Sequence, residues 1–209
     1  YVRKLVIDAR HHLFSLEDQS YRVQEFDAAG HFVQAWKLTE YPGVIDLAVD
    51  RQGFLYRLRG GNRPLLKTPL DGGLTRELAL PPPEGDDHWK ALAVDAGGSL
   101  YVGSEAGIIH VFDADGRPVN HWSLPGLSDG RTFRLEEMVL DTRGRLWVHD
   151  GSYGHLLAYT RGGEPIGGFT APDRTSPDSY QPERLAFDPA GDLTLLAETR
   201  VGKRILTLD

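Results

Sequence analysis

Short runs of alternating apolar and polar residues, separated by glycine-bearing turns, follow one another along the whole chain. The stretch from Lys90 shows the pattern most clearly, with ALAVD as an apolar strand, AGGS as a turn, LYVGS as a second strand and IIHVFD as a third. An Asp-Gly pair in ADGRP then predicts a hairpin before a fourth strand, PVNHWSL. No long stretch repeats its apolar residues at helical spacing, so the pattern predicts strands throughout.

The same outline occurs five times. Each copy has an apolar strand that ends in an aspartate, then a turn, then a second strand that opens with a leucine five positions after the aspartate. These residues are called the marker aspartates below, and they are Asp8, Asp50, Asp95, Asp141 and Asp188. Four short strands in each unit of about 45 residues are typical of a β-propeller.

We therefore expect one all-β domain over residues 1–209, a β-propeller with five recognisable four-stranded blades. The predicted blades are about 1–40, 41–86, 87–130, 131–178 and 179–209. The fifth copy has only three strands, so the last blade is predicted to be incomplete. We expect the chain to be part of a larger protein, with a six-bladed ring as one arrangement. Large aromatic side chains such as Trp36, Trp122 and Trp147 are expected to pack between blades.

Two of these copies carry the clearest family likeness. The stretches KALAVDAGGSLYVGSEAGIIHVFDADGRPVNHW and EEMVLDTRGRLWVHDGSYGHLLAYT resemble the NHL repeat, and the likeness extends over nearly the whole chain. The resemblance implies a propeller, most often with six blades. It implies little about function, because such repeats occur in interaction scaffolds, RNA-binding proteins and enzymes.

Composition narrows the function classes. The chain has 23 basic and 30 acidic residues, a net charge of −7, which disfavours a nucleic-acid partner. The absence of cysteine excludes thiol nucleophiles, disulfides and thiolate metal sites. No stretch reaches the ~18 apolar residues of a membrane helix, so no membrane partner is expected, and the compartment, bacterial cytoplasm or outside the cell, is left open. One basic stretch, from Arg51 to Arg76, is interpreted as a solvated face.

A set of acidic residues recurs nine or ten positions after the marker aspartates, where the second strand ends. A ring of such carboxylates at the mouth of the central channel would suit a hard cation, so calcium is the one cofactor considered. The alternative is that each acid caps a turn or pairs with an arginine, as Arg22 would with Glu17, and Arg59 interrupts the ring in the second copy. The predicted metal ligands are Glu17, Asp18, Glu105, Asp150 and Glu198.

Aromatic residues precede every inner strand after the first, within loops rich in proline and glycine. These rings either fill the gaps between neighbouring blades or, together with Arg59, form a rim that binds a protein partner or a glycan. The aromatic residues are Tyr41, Trp89, Phe133 and Tyr180.

Histidine and carboxylate residues come closest together in one hairpin loop, which holds His149, Asp150 and His155. No HExxH, GxSxG or phosphate-binding glycine motif accompanies them, so neither zinc nor a catalytic residue is assigned. We therefore predict a non-enzymatic scaffold or binding domain for a protein or glycan, within a larger protein or an assembly such as a bacterial secreted or phage-tail-like complex. The alternative is a metal-dependent hydrolase or lyase with its site in the central channel.

Overall fold

The computed structural model describes residues 2–17, 22–38, 43–125, 133–151, 154–170, 180–187, 193–199 and 202–208. The regular secondary structure in these ranges is β-strand, and no helix in them is long and apolar enough to cross a membrane. The chain divides into two compact units, each described by itself below. The first unit comprises Tyr1–Ser104 and His110–Asn120, and the second comprises Glu105–Ile109 and His121–Asp209.

The strands form one sheet per sequence copy, and within each sheet they follow chain order. The first sheet holds β1 (Val2–Ile7), β2 (Leu13–Glu17), β3 (Arg22–Phe26) and β4 (Phe32–Lys37). The second holds β5 (Val44–Val49), β6 (Phe54–Arg59), β7 (Leu65–Pro69) and β8 (Arg76–Leu78). The third holds β9 (Trp89–Val94), β10 (Leu100–Ser104), β11 (Ile108–Phe112) and β12 (Pro118–Ser123). The fourth holds β13 (Leu135–Leu140), β14 (Leu146–Asp150), β15 (His155–Tyr159) and β16 (Pro165–Thr170). A three-stranded sheet holds β17 (Tyr180–Phe187), β18 (Leu193–Thr199) and β19 (Gly202–Leu208).

These sheets confirm the all-β propeller, with four blades of four antiparallel strands each. The fifth sequence copy corresponds to the three-stranded sheet. A count of five blades and a ring of six are not confirmed, and the single domain over 1–209 stays a prediction.

The marker aspartate holds the turn between the first two strands of a sheet. In the second sheet, Oδ1 of Asp50 accepts the amides of Gln52 and Phe54, both at 2.9 Å. Gly53 lies between them at a φ of 84°, which a residue with a Cβ rarely adopts. A tight turn leaves these amides outside the strand ladder, so the carboxylate supplies the acceptor they would lack. The same pair of bonds forms at Asp8, Asp95 and Asp141, while Asp188 lies outside the described residues.

The inner strands, β1, β5, β9, β13 and β17, share a bulge. In each, the register shifts between the residues six and four positions before the marker aspartate. A bulge bends a strand and redirects its side chains. Here it directs two carboxylates toward the next inner strand: Asp46 Oδ2 accepts the Leu92 amide at 2.8 Å, and Glu137 Oε2 accepts the Leu185 amide at 2.9 Å.

Alternate residues of a strand pack against different neighbouring sheets. In the first unit, Leu55 of β6 lies in a core cluster with Phe14 of the first sheet. Tyr56 and Leu58 of the same strand belong to a cluster with Leu92 of the third sheet. Burying each of these side chains contributes about 1.5–3 kcal/mol, so the sheets are held chiefly by their mutual apolar faces.

The second unit has a smaller cluster of the same kind. Leu156 of the fourth sheet packs with Leu185 and Leu193 of the three-stranded sheet. Trp147 lies against Phe187, with ring centroids 5.7 Å apart. This tryptophan therefore fills the space between two sheets, as its position in the repeat predicted.

Replacing the turn carboxylate should destabilise the fold. Asp50→Ala leaves the Gln52 and Phe54 amides without their acceptor, together with the buried Tyr56 hydroxyl that donates to Asp50 Oδ2 at 2.9 Å. We expect a loss of about 2 kcal/mol in the free energy of unfolding, measured by urea denaturation. The control is Asp71→Ala, an exposed turn residue whose loss should cost less than about 0.5 kcal/mol. Equal costs for the two variants would contradict this role.

Two adjacent glycines of β16 should differ sharply in their tolerance of a methyl group. A Cβ at Gly168 would collide with the carbonyl oxygen of Leu156 and come within 3.1 Å of the Leu157 Cα, whereas a Cβ at Gly167 meets nothing within 4 Å. Gly168→Ala should therefore cost about 1–3 kcal/mol of stability, since backbone atoms must shift. Gly167→Ala should be neutral or slightly stabilising. Thermal unfolding of both variants tests the pair, and similar melting temperatures would count against the packing described.

Candidate functional site

The predicted metal ligands are spread over both units. In the first unit, Glu17 Oε2 accepts a hydrogen bond from Arg22 Nε at 2.8 Å, the pairing that the sequence offered as the alternative. Asp18 lies outside the described residues.

In the second unit, Glu105 is exposed on the turn after β10, and Asp150 is fully buried at the end of β14. Glu198 lies in β18, with its side chain outside the described part. Where the structure describes the chain, no group of three or more histidines and acids is placed to hold a metal ion. The calcium site therefore stays a prediction.

The predicted partner-binding aromatics that the structure describes are interior. Trp89 and Phe133 are each 2% exposed, and Trp89 packs on His110 with ring centroids 5.0 Å apart. These two rings thus fill the protein interior, which was the other interpretation of the pattern. Tyr41 lies outside the described residues, and Tyr180 lies in β17 with its side chain outside them.

Arg59, the remaining residue of the predicted rim, is buried at the end of β6. Its Nη2 donates to Glu77 Oε1 at 2.8 Å, and its Nε donates to the Pro64 carbonyl oxygen at 2.7 Å. Binding of a partner by these residues stays a prediction.

A buried histidine at the end of β14 is the strongest candidate for chemistry. His149 is 2% exposed and lies directly opposite Glu137, itself 5% exposed, in the β13–β14 pair. Cross-strand partners share one face of a sheet, with Cβ atoms about 5 Å apart. An imidazole and a carboxylate therefore lie side by side on one face of the fourth sheet.

The surroundings keep the His149 ring neutral. Burial is the largest influence and lowers the pKa of His149 below its ordinary value of 6.5, against the charges of Glu137, Glu136 and Asp150, which raise it. Its Nδ1 is buried and has no hydrogen-bond partner in the described part of the chain. A neutral imidazole with an unengaged ring nitrogen is suited to take up a proton at neutral pH.

The backbone around this pair is held by its own hydrogen bonds. The amide of Gly151 donates to the Arg134 carbonyl oxygen at 3.0 Å, which ties the end of β14 to the start of β13. The amide of Gly154 donates to the Asp150 carbonyl oxygen, also at 3.0 Å, which closes the loop toward β15. These bonds fix the ends of the strands that carry Glu137 and His149.

The structure separates the three residues that the sequence grouped in this loop. Leu156 is the cross-strand partner of His149, so the adjacent His155 points to the opposite face of the sheet. Asp150, next to His149 on β14, also faces away from it. Only His149 therefore contributes to the pair, and its partner is Glu137, which sequence reasoning missed. The sequence did contain a signal for Glu137: it lies four residues before its marker aspartate, as Asp46 does in the second copy.

Comparisons with known proteins give the fold. No family model matches the chain, and no curated protein matches it by sequence. A structure of streptogramin B lyase matches 100% of this chain and 68% of its own, with 16% identity and a TM-score of 0.67. A catalytically inactive histidine-to-alanine variant of virginiamycin B lyase from Staphylococcus aureus, with quinupristin, matches 98% of this chain and 68% of its own, with 13% identity and a TM-score of 0.68. A gluconolactonase from Xanthomonas campestris matches 93% of this chain and 68% of its own, with 19% identity and a TM-score of 0.67.

These likenesses confirm the β-propeller, whereas membership of the NHL-repeat family is not confirmed. They correct the prediction of a non-enzymatic scaffold, because each of these three structures matches at least 93% of the chain and each is of an enzyme. With identities of 13–19%, they show the fold and only suggest an enzyme. This chain is thus a β-propeller similar in fold to streptogramin B lyase, to virginiamycin B lyase and to a gluconolactonase.

Proposed function

We propose that this chain is an enzyme of the lyase or hydrolase class and that the His149 imidazole is its general base. One observation carries the proposal: a histidine kept neutral by burial, with an unengaged Nδ1, lies beside a fixed carboxylate. Active sites are where burial and charged neighbours shift pKa values in this way. The likeness to lyases and a gluconolactonase supports it as analogy of fold.

A general base serves both reaction classes in a similar way. In hydrolysis of a lactone, His149 takes a proton from water, the hydroxide adds to the acyl carbon, and the ring oxygen leaves with the proton that the imidazolium returns. In an elimination, His149 takes a proton from carbon, the electron pair becomes a double bond as the carbon–oxygen bond breaks, and the leaving oxygen receives the proton. Each cycle restores the neutral imidazole.

Glu137 acts as a positioning residue through His149. Its Oε2 accepts the Leu185 amide at 2.9 Å, so the carboxylate is held in place. A fixed negative charge next to the ring stabilises the imidazolium formed when the base takes its proton, without any reorganisation during the reaction. Burial of both side chains strengthens this interaction because water does not screen it.

We extend the proposal to the number of blades and the kind of repeat. We propose that the three-stranded sheet is a fifth, incomplete blade and that the repeats are NHL-like. The bulge shared by all five inner strands supports the fifth blade, and the turn carboxylate shared by the four four-stranded sheets supports the repeat. Calcium binding by the acidic residues at the ends of the second strands is a separate proposal, tested by measuring activity with chelator and with added calcium.

Removing the imidazole should abolish most of the activity. The wild-type protein is assayed with quinupristin and with gluconolactone, and His149→Ala should lower kcat/KM at least about 100-fold, the usual value of a general base. His155→Ala is the matched control, since this histidine lies on the opposite face and should leave kcat/KM nearly unchanged. Circular dichroism checks that both variants fold. The proposal fails if the wild-type protein converts neither compound, or if His149→Ala converts one undiminished.

The pH dependence should carry the signature of the buried base. Only the neutral imidazole accepts a proton, so kcat/KM should fall as pH drops through the pKa of His149, and burial places that fall below pH 6.5. Glu137→Gln removes a negative charge that raises this pKa, so the fall should move to still lower pH. A pH–rate profile and the NMR titration of His149 measure both effects. A fall at or above pH 6.5, or a shift upward in the variant, would argue against His149 as the base.

A further inference from the structure

One buried cation in the second sheet has uncharged hydrogen-bond partners. Arg57 of β6 is 7% exposed, and its Nη2 donates to the hydroxyl of Thr68 at 2.9 Å and to that of Thr75 at 3.5 Å. Its Nε is buried and has no hydrogen-bond partner in the described part of the chain. The hydrogen-bond partners of this guanidinium are therefore two uncharged hydroxyls.

The nearest charge acting on Arg57 has the same sign. Burial and, after it, the charge of Arg59 lower the pKa of Arg57. Arg59 in turn pairs with Glu77 at 2.8 Å, and the Glu77 side chain is 61% exposed. That carboxylate therefore pairs with Arg59, and no acid in the described part of the chain pairs with Arg57.

A buried guanidinium without a counter-ion is costly. Arginine keeps its proton in proteins, so the cost cannot be avoided by neutralisation, and taking such a charge out of water costs several kcal/mol. A bound ion is one explanation for a buried polar group that lacks a partner, and for a cation that ion is an anion. The planar guanidinium offers two parallel N–H bonds, which match two oxygens of a carboxylate or a phosphate.

The two threonines complete a site of suitable chemistry. Their hydroxyl oxygens lie 2.9 Å apart and can turn a proton toward an acceptor. Thr75 is exposed, between β7 and β8, so one member of this group lies at the protein surface. We propose that Arg57, with Thr68 and Thr75, binds a small oxyanion at this edge of the second sheet. These three residues belong to the first unit, and the His149 pair belongs to the second.

Anion-dependent stability tests the proposal. The melting temperature of the wild-type protein is measured with inorganic phosphate or acetate against chloride at the same ionic strength. An anion that binds only the folded state raises the melting temperature, and the stabilisation grows with the logarithm of the ratio of anion concentration to Kd. We expect a rise of several degrees with phosphate, acetate or both, lost in Arg57→Gln. The anion with the larger effect shows whether the site prefers a phosphate or a carboxylate.

Two further variants keep the test decisive. Thr75→Val changes an exposed position and should weaken anion binding roughly fivefold by titration calorimetry, the value of one hydrogen bond. Arg76→Gln, an exposed neighbour on β8, removes a positive charge outside the site and should leave binding unchanged. If Arg57→Gln does not fold, the Thr75→Val and Arg76→Gln pair decides. No anion-specific rise in the wild-type protein, or equal binding by all variants, would overturn the proposal.

Discussion

The bond between the marker carboxylate and two turn amides is the constraint on which the repeated sheet depends. It fixes the length of the turn, so the leucine five positions after the aspartate opens the second strand opposite the last residue of the first: Leu55 faces Val49, and Leu100 faces Val94. Because side chains alternate along a strand, this register decides which residues face which neighbouring sheet. A turn longer by one residue would turn the apolar faces of the second strand outward.

The bulge in the inner strand adds a second constraint, and the candidate site is a variation on it. Asp46 and Glu137 hold equivalent positions, and each accepts an amide from the next inner strand. The residues across from them differ. Leu58 faces Asp46, whereas His149 faces Glu137 and forms the pair proposed above as a general base and its positioning residue. The residue at one cross-strand position is therefore what distinguishes the candidate site from the equivalent position in the second sheet.

The function inferred from sequence was wrong for a physical reason. Catalytic motifs are recognisable when their residues are close in the chain, as in HExxH, and their absence here favoured a scaffold. His149 and Glu137 lie twelve positions apart and meet only because the β13–β14 hairpin places them opposite each other. Arg57 was likewise interpreted as part of a solvated face, since its six-residue strand gives no sign that the guanidinium is enclosed.

The sequence by itself determined the strands and the turns, because these follow from contacts within a few residues, such as Asp50 with Gln52 and Phe54. The sequence also specified which residues of each strand are apolar and so can pack against a neighbouring sheet. Only the tertiary structure decided that Trp89 and Phe133 are interior, that burial lowers the pKa of His149 and that the Arg57 guanidinium is buried on hydroxyl partners. The reason is that a neighbouring sheet, formed by residues distant in the chain, covers these side chains and excludes water from them. Exclusion of water shifts their pKa values and raises the free-energy cost of a charge.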